Sequence, residues 1–111
     1  MRLLVGVEWS DDAFEAVKAI PQLYRPTEIV LVHSVNLHPF ESPILAPMMA
    51  KKAFDEFVEA MKKAGEQVLD QVTASLPSGW APIRRVCEVG LPATVLLDAI
   101  ETYQPDLVLM G

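Results

Sequence analysis

The chain has a single cysteine, Cys87, among its 111 residues. No disulfide can close within it, which fits a reducing compartment. It also lacks a basic surplus: the formal net charge is −6, and no local run of Lys or Arg offsets it. A polyanion would be repelled, so nucleic acid is not an expected partner. Apolar runs are far too short for a bilayer span, and the first residues enter a strand pattern rather than a secretory signal. A cytoplasmic protein with no membrane partner is expected. No internal repeat or low-complexity segment appears.

Chemistry-bearing patterns are equally scarce. A nucleophile elbow, Gly-x-Ser-x-Gly, is absent, and no Ser-His-Asp or Cys-His arrangement has supporting context. An enzyme is therefore the weaker class of reading, and no catalytic residue is assigned. His33, His38, Cys87 and Glu88 do not have the spacing of any recognised zinc pattern, so no metal site is expected. Asp11 and Asp12 resemble part of an acidic phosphoryl-accepting pocket. That chemistry needs an Asp ending the third strand, where this chain reads Cys87-Glu88.

What is present is a core: 51% of the residues are apolar and 22% charged, a balance that supports one packed domain. Leu3-Leu4-Val5-Gly6-Val7 reads as a first, buried strand. Ser10 can cap the helix after it, and Asp11 and Asp12 suit the positive end of that helix's dipole. Phe14, Val17 and Ile20 mark its buried face. Pro21 predicts an end or a kink near Ile20. Residues 28 to 35 give a second central strand. Pro39, Pro43 and Pro47 predict a loop over 36 to 47. From Met48 to Leu76 the apolar positions keep helical spacing, with a weak point at Gly65. A third strand runs from Pro82 to Val89; its leading proline and its charges, Arg84, Arg85 and Glu88, suit an edge, with the arginines guarding against stray pairing.

The densest stretch is the last. Val89-Gly90 closes a strand, Pro92 sits where a helix's first residue needs no N–H, and Val95, Leu96, Ala99, Ile100 and Tyr103 form one apolar stripe. Pro105 stops that helix. Leu107 to Met110 then reads as a strand buried on both faces, followed at once by Gly111. The order β-α-β-α-β-α-β predicts an α/β fold with a doubly wound, open parallel sheet.

Gly90-x-Pro92, a helix, and then Pro105-Asp106-Leu107-Val108-Leu109-Met110-Gly111 resemble the universal stress protein family. The resemblance covers the whole chain and implies a Rossmann-like sheet of the adenine nucleotide alpha hydrolase-like kind, in strand order 3-2-1-4. With that order, right-handed crossovers put the first two helices on one face and the third on the other. The chain reverses between strands 1 and 4, and a ligand crevice is expected at their carboxyl ends.

The resemblance further implies that this crevice holds an adenine nucleotide, ATP or AMP with its Mg, largely through backbone contacts. The matching positions are Gly6, Val7, Glu8, Ser34, Met110 and Gly111. Glu8 stands where the family most often has Asp, keeping the acceptor on a longer stem. In the family, Met-Gly opens a phosphate-wrapping motif, Gly-x2-Gly-x9-Gly-Ser/Thr, and a fifth strand serves dimerisation; both would follow Gly111. The chain is thus expected to be one domain, 1 to 111, truncated after strand 4, that is not a self-sufficient folding unit and comes from a homodimer. Its implied role is a stress-response module with at most slow ATP hydrolysis. The competing expectation is a member that binds no nucleotide and works through protein–protein contact.

Overall fold

A computed structural model of the chain describes residues 1–8, 11–37 and 51–110. Its elements are β1 (Arg2–Gly6), α1 (Asp11–Leu23), β2 (Glu28–Val35), α2 (Lys51–Ser75), β3 (Ile83–Val89), α3 (Pro92–Tyr103) and β4 (Leu107–Met110). The strands form one parallel sheet in the order β3-β2-β1-β4. β1 and β2 are central, as their unbroken apolar runs predict, and the charged β3 takes an edge.

Side-chain alternation along the strands sends residues to opposite faces. Leu3, Val5, Ile29 and Leu31 pack with Val17 and Ile20 of α1 and with Val68, Leu69 and Val72 of α2. Leu4, Val30 and Val32 pack with Val95 and Ala99 of α3. Two helices therefore cover one face and one helix the other, the arrangement that right-handed crossovers demand of this strand order.

One expectation needs correction and two are refined. α1 does not end at Ile20 but runs to Leu23 with Pro21 inside it. Pro21 removes only its own N–H, and one residue-turn later Tyr24 N–H still donates to Ile20 O at 2.9 Å, while Arg25 Nη1 donates to Pro21 O at 2.6 Å. Gly65, a weak helix former, does not interrupt α2, which is continuous from Lys51 to Ser75. A Cβ there would stand 2.9 Å from both Cys87 Sγ and His33 Cδ2, so the glycine lets the helix lie close on β2 and β3. β4, which reads as a strand buried on both faces, has the open edge and incomplete cover expected of residues 1 to 111 taken alone: Leu107, Val108 and Leu109 are half-buried, Met110 is 64% exposed, and among the described residues it pairs with β1.

The loop expected over 36 to 47, the cap Ser10 and the start of the long helix at Met48 lie outside the described residues, save for Asn36 and Leu37. α3 follows its expectation closely. Pro92 opens it after Leu91, and Gln104, in a left-handed conformation at φ 46°, closes it before Pro105. No helix among the described residues is long and apolar enough to cross a membrane.

Candidate functional site

Register makes the carboxyl edge of the sheet uneven. Gly6 is the last residue of β1 and pairs with Val32 on one side and Met110 on the other. β2 continues for three more residues, His33 to Val35, paired with Cys87 to Val89 of β3. At about 3.3 Å per residue this raises β2 and β3 roughly 10 Å above the end of β1. The result is a ledge with a wall. Open α/β sheets place ligands at such a spot, where the crossovers change direction.

Glu8, exposed, follows β1 at the foot of the wall. Ser34 is half-buried in the wall and, by alternation, belongs to the α3 face. Met110 ends β4 on the floor. Its Sδ lies 3.1 Å from the position a Cβ on Gly6 would take, with Leu96 Cδ1 at 3.8 Å. Any side chain at Gly6 would press on the Met110 thioether, so the bare backbone of Gly6 is roofed by an exposed, adaptable residue. Five of the six expected site residues, Gly6, Val7, Glu8, Ser34 and Met110, are thereby gathered at one edge. The sixth, Gly111, lies outside the described residues.

Val7 is tied internally. It is 3% exposed; its N–H donates to Val32 O at 2.8 Å, and its carbonyl accepts from His33 Nδ1, also at 2.8 Å. A carbonyl oxygen can only accept, so Nδ1 carries the proton and Nε2 is the free ring nitrogen of the neutral form. Sequence reasoning treated His33 only as a failed metal ligand. No periodicity could have revealed a side chain reaching across to the backbone of the neighbouring strand.

A groove of about 330 Å³ adjoins the wall on the α2 side, lined by His33, Val35, Asn36, Met61, Ala64 and Gly65 among others. That is the small end of the range for ligand pockets. Cys87, beside His33 in the register, is half-buried, and burial pushes its thiol above the ordinary value, helped by the nearby carboxylates Glu66 and Glu88. A raised thiol is a poor nucleophile at neutral pH. Among the described residues no three His, Cys, Asp or Glu side chains are grouped to hold a metal.

Arg84 and Arg85 do not project from the open edge of β3. Arg84 Nε meets Glu28 Oε1 at 3.0 Å, and Arg85 meets Glu66 Oε2 at 2.9 Å and Asp70 Oδ1 at 2.6 Å. They brace β3 against β2 and α2.

Comparison with known proteins agrees with this architecture. The model of the universal stress protein family matches residues 1–111. No curated protein matches the sequence. Among solved structures, a protein from the universal stress protein family of Burkholderia pseudomallei has a TM-score of 0.74 at 23% identity, covering 99% of this chain and 80% of the other. Universal stress protein UspA from Lactobacillus plantarum gives 0.61 at 22% identity, covering 100% and 76%. A universal stress protein crystallised in complex with cAMP gives 0.54 at 19% identity, covering 97% and 69%.

Proposed function

The chain belongs to the universal stress protein family, and we propose that its ledge holds an adenine nucleotide, ATP or AMP, so that it acts as a nucleotide-responsive module in the stress response. The observation that carries this reading is the stepped carboxyl edge, which brings Gly6, Val7, Glu8, Ser34 and Met110 together where a flat base and a ribose could lie against backbone. Gly111, next after Met110, completes the set. Support also comes from the cAMP complex of a structural neighbour, since cAMP carries the same base and ribose.

Glu8 supplies the acceptor. Its exposed carboxylate, at the turn out of β1, suits a ribose hydroxyl or the exocyclic amine of adenine. A bound triphosphate would bring its Mg with it, and no described group of acidic residues on the chain competes for that role. No residue of the ledge is assigned to bond breaking; the role proposed is binding, with at most slow ATP hydrolysis. The location proposed is the cytoplasm.

A second reading rests on a different observation. Leu23, Leu97 and Met110 are all large apolar residues left exposed, at 71%, 64% and 64%. They suit contact with protein, including a homodimer, whether or not nucleotide is bound. Calorimetric titration with ATP, AMP and cAMP separates the two. Saturable binding of ATP or AMP, weakened more by Glu8→Ala than by Glu88→Ala on β3, two strands away, supports the nucleotide reading. Absence of binding, with association visible in sedimentation, leaves only the second.

A further inference from the structure

We infer that His33 is the positioning residue of the ledge: a strut between α2 and the carboxyl end of β1 that sets where the Val7–Glu8 peptide, and hence Glu8, stands. This rests on the reading of the ledge as a nucleotide site.

The imidazole is held at two points. On one side Nδ1 donates to Val7 O at 2.8 Å. On another, Cδ2 lies 2.9 Å from where a Cβ on Gly65 would be, in contact with the α2 backbone that the glycine lets approach. Cys87 Sγ and Val35 Cγ2 approach the same Gly65 position, at 2.9 Å and 3.2 Å, so the half-buried ring lies where α2 packs on β2 and β3.

What the ring holds is the peptide that leads from β1 to Glu8. Val7 N–H is fixed by Val32 O, but it lies on the preceding, Gly6–Val7 peptide and does not hold the carbonyl. Without His33 the Val7–Glu8 peptide would lose this tie and its carbonyl could turn. Glu8 N–H belongs to the same peptide group as that carbonyl, so rotation of one redirects the other. His33 acts through Val7 and touches no ligand itself.

The geometry also picks out which replacement should work. The Nδ2 of an asparagine sits close to where Nδ1 of a histidine does, whereas the Nε2 of a glutamine reaches to the Nε2 position. His33→Asn therefore keeps the donor to Val7, and His33→Gln moves it away.

The test uses the whole chain and its His33→Asn and His33→Gln variants, titrated calorimetrically with ATP, with denaturant unfolding of each as a check on folding. Nitrogen-15 NMR of the wild-type imidazole is recorded in parallel. The expected result is a protonated Nδ1 and an ATP affinity kept within about two-fold in His33→Asn but lowered roughly ten-fold in His33→Gln. Wild type binding ATP while His33→Gln binds it equally would overturn the strut and leave the nucleotide site standing. Failure of wild type to bind ATP, AMP or cAMP removes the nucleotide reading and the strut's role with it. Should His33→Gln fail to fold, an unprotonated Nδ1 in the wild-type spectrum overturns the inference, and a protonated one together with full affinity in His33→Asn supports it.

Discussion

The two ends of the sheet are built differently. At the amino end the strands are laced together by side chains. Arg2 N–H donates to Asp106 Oδ2 at 2.7 Å and receives Asp106 N–H on its carbonyl at 2.9 Å; its guanidinium reaches Tyr103 O and Glu28 Oε2, the latter at 3.5 Å. Glu28 also holds Arg84, whose guanidinium stands 6.0 Å from the Tyr103 ring centroid. Thr27 fixes the Met1 carbonyl through both its N–H and its hydroxyl. At the carboxyl end, among the described residues, His33 to Val7 is one such side-chain tie. There Glu8 and Met110 are exposed and the strands end at different heights.

The difference teaches where stability and binding reside. Parallel strands all start at one end and all finish at the other, so polar side chains at the starts can be spent on each other. Under the proposed nucleotide site the finishes would face the ligand, whose groups would otherwise compete with such ties. A test of this division is whether changes at one end leave the other's property untouched.

The largest effect is expected at the amino end. Glu28→Ala strips the partner from both Arg2 and Arg84 and should cost about 2 kcal/mol in denaturant unfolding, the worth of one or two partly exposed charged contacts. ATP affinity should not change. Next comes Glu8→Ala, which should weaken ATP binding roughly ten-fold, about 1.4 kcal/mol, with unfolding unaltered. If either variant moved both properties alike, the two ends would not be separate.

Gly65→Ala tests how the long helix bears on the carboxyl end. Alanine gains about 1 kcal/mol of helix propensity over glycine, but forcing a Cβ against His33 and Cys87 costs about 1–3 kcal/mol. A net loss near 1 kcal/mol is expected by chemical denaturation, with amide signals of Val7 and Glu8 shifting and those of Glu28 and Arg84 still. The smallest effect concerns Cys87. Its thiol is raised in the fold, so above the unfolded thiol's range, ~8.5, the unfolded chain holds fewer protons than the folded one. Stability present at neutral pH should therefore decline as pH rises through that range and toward the folded value. Unfolding at pH 7.5 and pH 10 should show this decline in wild type and less of it in Cys87→Ala.

Much of the fold could be read in the residues because it rests on repeating patterns. Leu3 to Val7 and Ile29 to Val32 announce central strands, and the stripe from Val95 to Tyr103 announces a helix covering one face. What could not be read depends on registers and single contacts. Leu107 to Met110 reads as a strand made for burial, and its partial exposure here follows from the absence of further cover among the described residues. Pro21 was expected to stop α1, yet a proline in a helix's last turn removes one bond and the turn closes without it. The step in the carboxyl edge follows from β2 outrunning β1, a matter of pairing. Gly65 looked like a helix flaw in one dimension and is a close contact in three.

The most direct test of the central claim is chemical-shift mapping of the nitrogen-15-labelled chain as ATP is added. The division of the sheet predicts saturable shifts largest at Gly6, Val7, Glu8, Ser34, Met110 and Gly111, with Arg2, Glu28, Arg84 and Asp106 unmoved. Shifts centred on the amino end or on the outer face of α2, or none that saturate, would contradict it.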